Sequence, residues 1–533
     1  MTCRRAFSLA AVLLAVTAFA QQSTNVNLNI TLTTQTRPQR SIAVANRSVS
    51  PFGVVAIRID VTHLRGTSGN AASNDQGTIT FALNRVDRFD VSVEIPNGPG
   101  TGGGSKTFTS NISGGSGAYQ GATGTVSFTL GADNFGNNIL SGNGSVTASG
   151  KTTPFSLSPP LPLFLNPING DHNAFTGSGA LTPIGNTTVK FDLDSNSAGG
   201  NDGILTLTFN SADSVSFYLS YDVDGPPPPN TQLVAVGGTG AYAGATGTIT
   251  ATTTQTGSTL TVTGSGSITQ RGAGAATITQ VGTAYGFDET AQNTFIVIKG
   301  TNLVPSNTPK DGVIWSNAPE FASGKMPTVL QGIGVKVNDK PAFVYFFCSA
   351  VTDPACASDQ INALTPLDTK TGQVRVTVSN NGVESPPFAV PMRQVEPSLL
   401  VFNTQGYVAA VHPDGTLLGP TSLYPGSTTP AKGNETILVF AVGFGLPTTT
   451  LVPGSSTQFG PLPRSQNPPS PQCFIGTSTA TVAAATLISP GLYQFNLVVP
   501  GNAPRGDNLI FCSYTLPGNP SFFTPVGNLI TVE

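Results

Sequence analysis

Four hard oxygen side chains, Asp192, Asp194, Asn196 and Asp202, crowd into one polar stretch, Asp192-Leu-Asp-Ser-Asn-Ser-Ala-Gly-Gly-Asn-Asp202. Carboxylate and amide oxygens so spaced suit a calcium ion, and the stretch begins as an EF-hand loop does. It then departs from one. Ser197 stands where that loop needs glycine, and Gly203 where it needs a bidentate glutamate. Calcium is the one cofactor these residues suggest, with a plain polar hairpin loop as the competing reading.

Catalytic sets are harder to build. Asp192 with Asp194, and Asp222 with Asp224, are acid pairs that would share one face of a strand. A glycosidase needs its two carboxylates across a sugar-sized cleft, which adjacency alone does not supply. The three histidines, His63, His172 and His412, fall in three separate parts of the chain, and His412 sits in the turn sequence His-Pro-Asp-Gly. There is no Gly-x-Ser-x-Gly elbow and no His-Glu-x-x-His. The glycine run from Gly114 to Gly121 carries no lysine and leads into no helix pattern, so it reads as a backbone bend rather than a phosphate cradle. The expectation is a protein that is not an enzyme.

Cysteine chemistry depends on where the chain resides. Arg4 and Arg5, an apolar run from Ala10 to Val16, and Ala18-Phe-Ala20 before Gln21 read as a secretory signal, residues 1–20, cleaved between Ala20 and Gln21. Export makes disulfides of the four later cysteines the expected state. Cys348 with Cys356 and Cys473 with Cys512 are the pairs that keep each bridge inside one domain. No later segment has the uncharged apolar length of a membrane helix.

Composition sets the fold class. Charged residues are 10% of the chain, against about 25% in an ordinary soluble domain, and the formal net charge is −3. That leaves no basic stripe for nucleic acid. The 61 glycines and 42 prolines in 533 residues imply many turns, and the apolar residues alternate with a period of two. The chain reads as all-β, with room for roughly three to five domains.

An internal repeat organises the first half. Asn111-Ile-Ser-Gly-Gly-Ser-Gly-Ala-Tyr-Gln-Gly-Ala-Thr-Gly-Thr-Val-Ser127 returns as Val234-Ala-Val-Gly-Gly-Thr-Gly-Ala-Tyr-Ala-Gly-Ala-Thr-Gly-Thr-Ile-Thr250. The flanks keep step, Gly77–Asn84 with Gly203–Asn210 and Pro51-Phe-Gly53 with Pro183-Ile-Gly185. Two β units follow, 21–157 and 158–280, each a barrel or a sandwich, with Ser158-Pro-Pro-Leu-Pro162 as a stiff connector. The glycine signature resembles that of the allene oxide cyclase and dirigent barrels, which implies a barrel; the active-site acids and arginines of that group have no counterparts to place here.

Beyond residue 281 the pattern changes. Phe295-Ile-Val-Ile-Lys-Gly-Thr-Asn-Leu303 resembles the opening strand of IPT/TIG immunoglobulin-like domains. The stretches that follow resemble a C-terminal module of secreted acidobacterial (Solibacter-type) proteins: Met326–Asn338, Gly372–Val378, Gly406–Leu417, Ile437–Gly445 and Pro490–Pro500. The resemblance implies two Ig-like modules, 281–395 and 396–533. Asn338-Asp339-Lys340 and Asn380-Asn-Gly382 are hairpin turn sequences. The function expected is a secreted or cell-surface, non-enzymatic β-modular protein acting in adhesion, matrix or ligand presentation, its partner an extracellular ligand, glycan or protein. The alternative is a barrel-type enzyme or small-ligand or carbohydrate binder in residues 21–280, with the later modules as scaffold.

Overall fold

The computed structural model describes residues 22–66, 74–96, 105–132, 138–162, 166–167, 172–196, 199–223, 226–256, 259–270, 275–321, 324–466, 469–516 and 520–533. The signal segment and its Ala20–Gln21 junction lie outside the described residues. These residues are all-β, with two eight-stranded barrels followed by two sandwich modules and no α-helix among them.

One strand joins the barrels. Gln22–Ser50 runs for 29 residues. Its second part pairs with Gly53–Gly66 and, at Val49 and Ser50, with Lys151–Pro162, which closes the first barrel. Its first part lies between Thr259–Gln270 and His172–Thr182 and closes the second. The sequence divides the units at residue 157, yet the eighth strand of the second barrel comes from residues 22–32. Side-chain alternation follows the exchange. Val26, Leu28, Ile30 and Leu32 point into the second barrel, whereas Ala43, Ala45 and Val49 point into the first. Two faces of one pleated strand therefore serve two cores.

Ser158–Pro162 is not the connector its prolines suggest. It belongs to the strand Lys151–Pro162, and Leu157 and Leu161 are buried in the first core. That strand lies on the closing seam, where its partner across the seam meets it only at Leu157 and Ser156. Missing N–H donors cost least where the ladder is short.

Both barrel interiors are filled by apolar side chains. Phe81 and Phe89 stack at 4.9 Å between ring centroids in the first, and Phe191, Leu205, Phe217 and Ile249 occupy the second. In the third unit two sheets face each other across Ile296, Ile298, Val335, Ile361, Val376 and Met392. Trp315 is buried there, edge-on to Tyr345 and stacked on Phe321. The two hairpin turns have the geometry their residues favour. Asn338 and Asp339 (φ 50° and 59°), and Asn381 and Gly382 (φ 50° and 83°), occupy left-handed positions between paired strands. The fourth unit folds a twelve-stranded sheet around Phe444, Tyr493, Phe495 and Tyr514. Both expected bridges form. Cys473–Cys512 links directly opposed strand residues, and Cys348–Cys356 closes a short loop.

Candidate functional site

With the described barrel interiors occupied, chemistry has to be sought on their rims and outer walls. Each barrel carries the same loop clasp. In the first, Asn84 Oδ1 accepts the Val86 and Asp87 N–H groups, both at 2.8 Å, and Asn84 Nδ2 donates to Asp87 Oδ2 at 2.9 Å. Asp87 Oδ1 in turn accepts the Ala118 N–H at 2.8 Å, which ties the loop to the tight turn Gly117–Tyr119. In the second barrel Asn210, Ala212, Asp213 and Ala241 make the same bonds. The glycine signature is the other half of this clasp. Gly117 and Gly240 have φ of 59° and 57°, and a Cβ on either would fall 2.3 or 2.0 Å from the clasping aspartate Oδ1. The Asn210 and Ala241 bonds hold the Asp213 carboxyl below the usual carboxylate range.

The clasp fixes its own residues and leaves those between them free to vary. The first barrel has Arg85 and Arg88 where the second has Ser211 and Ser214. Arg88 pairs with Ser116 as Ser214 pairs with Thr239, so the positions are equivalent. Each clasp borders a cleft against the C-terminal modules. Beside the second barrel a cleft of about 480 Å³ is lined by Ser214, Thr239, Thr277, Gln373 and Phe388 among others, with no charged residue. Beside the first, a cleft of about 660 Å³ is lined by Arg85, Arg88, Tyr285, Phe287, Phe402 and Asn403, with no acid in its wall. A third, of about 360 Å³, lies between the outward face of Ala43–Arg47 and Phe474 and Phe511 of the fourth unit.

The clefts have fixed walls because the units are braced. Asn46, buried on the first strand, donates from Nδ2 to the Gly476 and Leu509 carbonyls at 2.6 and 3.2 Å. Farther back along the same strand lies an ionic junction. Arg40 binds Asp60 at 2.7 Å and Glu289 of the third unit at 2.8 Å, while Arg393 binds Glu289 at 2.9 Å. Arg58 adds a contact to Asp60 at 2.9 Å and lies 4.4 Å over the Phe287 ring. Burial alone would raise the Glu289 pKa, but Arg393 and then Arg40 pull it below the ordinary value. Glu396, beside the same small cavity, is pushed well above its ordinary value by burial and by the Glu289 charge.

The candidate calcium residues are neighbours, with Asp192 and Asp194 on the strand Gly185–Ser195, Asn196 just beyond it and Asp202 on the next strand, Asn201–Thr208. Asp192 pairs with Lys190 at 2.8 Å. Asp194 lies directly opposite Asp202 on the neighbouring strand, and Asn196 Oδ1 accepts the Gly200 N–H at 3.0 Å. Asp202 is fully buried against the third unit, where Lys370 reaches its Oδ1 at 3.0 Å. Among the described residues no group of three or more His, Cys, Asp or Glu side chains converges as metal ligands do. His63 and His172 fall on strands of different barrels, far in the chain from His412.

His412 does lie in the turn its sequence implies, its N–H bonded to the Thr416 carbonyl, but its ring is buried. Nδ1 meets Glu435 at 2.6 Å and Nε2 meets the Thr429 carbonyl at 3.1 Å. Burial would lower its pKa, yet the Glu435 and Thr429 bonds together raise it above the ordinary 6.5. A raised folded-state value adds stability that is complete below about pH 6.5 and fades as pH rises through the folded pKa. The melting temperature of the fourth unit is thus expected to fall as pH is raised above 6.5, a slope that His412→Gln removes. Calorimetric scans in steps from pH 6 to 9 check this, and parallel curves for the two proteins count against it.

Arg85 and Arg88 carry no sequence signal alone. The signal is their replacement by serines at matched positions of the repeat, visible once Asn84 and Asp87 are aligned with Asn210 and Asp213. No protein-family model matches the chain, and no curated protein matches it.

Proposed function

We propose that this is an exported, non-enzymatic β-modular protein that presents a ligand-binding face at the cell surface or in the surrounding matrix. One observation carries the reading: the described clefts lie between units whose barrel cores are filled, and those units are locked together by buried polar contacts. Such a molecule is built to hold surfaces in a fixed relation. On this reading the two C-terminal sandwiches are Ig-like modules of IPT/TIG type, akin to the acidobacterial C-terminal module, and they frame the clefts. The signal segment and the two disulfides support an oxidising, extracytoplasmic destination.

Beads coated with the chain from Gln22 onward, passed over extracted extracellular polysaccharide and over intact bacterial surfaces, test the role. Retention well above albumin-coated beads on at least one surface is the expected result. Retention no greater than albumin on every surface overturns it.

A further inference from the structure

We propose that the cleft beside the first barrel binds an acidic glycan, its carboxylate or sulfate held by Arg85 and Arg88 and its sugar faces resting on Tyr285 and Phe402. The inference rests on the ligand-presenting role above and names the ligand class.

The two cations are not needed by the clasp. The second barrel builds the same clasp with Ser211 and Ser214, and the cleft at that clasp is neutral. They are not spent on internal ion pairs either. Arg88 is exposed, and its guanidinium has no partner among the described residues. Arg85 donates from Nη2 to the Tyr285 carbonyl, which fixes the head and leaves its remaining N–H groups without a carboxylate. Desolvation lowers the Arg85 pKa, as expected for a half-buried cation lacking an acid.

The fourth unit makes room for this arginine. Gly406 (φ 97°) lies so close that a Cβ there would come within 2.8 Å of Arg85 Cγ, and one on Gly527 (φ 88°) within 2.7 Å of the Asn84 backbone. The stem is thereby clamped and the fork is aimed. Planar guanidinium groups recognise carboxylate and sulfate in a bidentate manner.

Tyr285 is half exposed on the rim in a left-handed conformation (φ 58°), an unusual state for a bulky side chain. Phe402 packs edge-on to Tyr424 at 5.7 Å, which holds its ring in the wall. Aromatic faces beside Asn403 and Thr404 suit a sugar, whose two faces are apolar and whose rim is hydroxylated.

Isothermal titration of the chain from Gln22 onward, with a tetragalacturonate, a sulfated oligosaccharide, a neutral oligosaccharide of equal length and sodium sulfate alone, tests the site. Saturable binding of one or both acidic oligosaccharides, weakened by salt and absent for the neutral one, is expected. Which acidic ligand binds identifies the anion. Arg88→Ser, which installs the residue of the second barrel, and Arg85→Met, which keeps the packed stem, should each weaken binding by about tenfold. Their melting curves confirm that both variants fold. Failure of both acidic ligands to bind overturns the proposal, as does equal binding by the double variant or binding of sodium sulfate as tight as that of the sugars. The bead assay separates the two readings. Beads carrying the double variant that still adhere leave the surface role standing and sink this site; soluble binding without bead retention does the reverse.

Discussion

A chain beginning at residue 34 should keep its first barrel and lose its second. Residues 22–32 supply the strand that fills the gap between Thr259–Gln270 and His172–Thr182. Val26, Leu28, Ile30 and Leu32 are 1%, 2%, 0% and 0% exposed. At about 1.5–3 kcal/mol for each fully buried aliphatic side chain, their removal withdraws on the order of 6–12 kcal/mol, an upper figure because unfolded chains already bury some surface. That rivals the whole stability of an ordinary domain, about 5–15 kcal/mol. It also exposes two strand edges, each a row of unpaired backbone groups. The first barrel is spared because it uses the strand only from Thr36 onward.

Hydrogen exchange read by mass spectrometry distinguishes the halves. Protection should vanish across residues 172–270 and persist across 53–162. A synthetic peptide of residues 22–36, added in excess, should restore the lost protection, since the vacant groove is a template for one strand of defined register. Full protection of 172–270 in the truncated chain would show that the strand is dispensable.

This exchange was legible only in part. Asn25-Val-Asn-Leu-Asn-Ile30 alternates cleanly, so the strand and its inward face were readable from the sequence. Its partner was not, because period-two alternation states which residues are buried and says nothing of which barrel buries them. The repeat was readable for a different reason. Matching glycines at Gly117 and Gly240 are demanded by the same left-handed turn beside the same aspartate, so the constraint appears twice. Prolines misled at Ser158–Pro162, where the seam of a barrel tolerates what a central strand would not. The cation cleft lay between these cases. Asn84 and Asp87 could be aligned with Asn210 and Asp213 from the repeat alone. The packing of Arg85 against Gly406, and the place of Phe402 in the same wall, emerge only from contacts between units distant in sequence.

The ionic junction was wholly illegible, and its two glutamates should behave in opposite ways when changed. Glu289 is ionised between Arg40 and Arg393, so Glu289→Gln takes the bonded carboxylate from the half-buried Arg393 and leaves Arg40 with Asp60 alone. Breaking one partner of such a buried set costs about 3–5 kcal/mol. Glu396 is buried at the same place, but its pKa is raised by burial and then by the charge of Glu289, both of which favour its neutral form. Glu396→Gln copies that neutral form and should cost no more than about 1 kcal/mol.

The pH responses differ in sign as well. The lowered pKa of Glu289 gives stability that is present above its ordinary 4.5 and lost as pH falls through the folded value. The raised pKa of Glu396 gives stability that is present below 4.5 and lost as pH rises through its folded value. Calorimetric melts of both variants between pH 4 and 8 test the pair. Glu289→Gln should lower the melting temperature most at the upper end, and Glu396→Gln should flatten the decline that the unaltered protein shows there. Because three units meet at this junction, the transitions that shift should be those of the first barrel and the two sandwiches together, with the second barrel least affected. Equal losses from the two substitutions would mean that both carboxylates are ionised in the folded protein, and that the junction is held by charge balance rather than by one buried acid and one neutral neighbour.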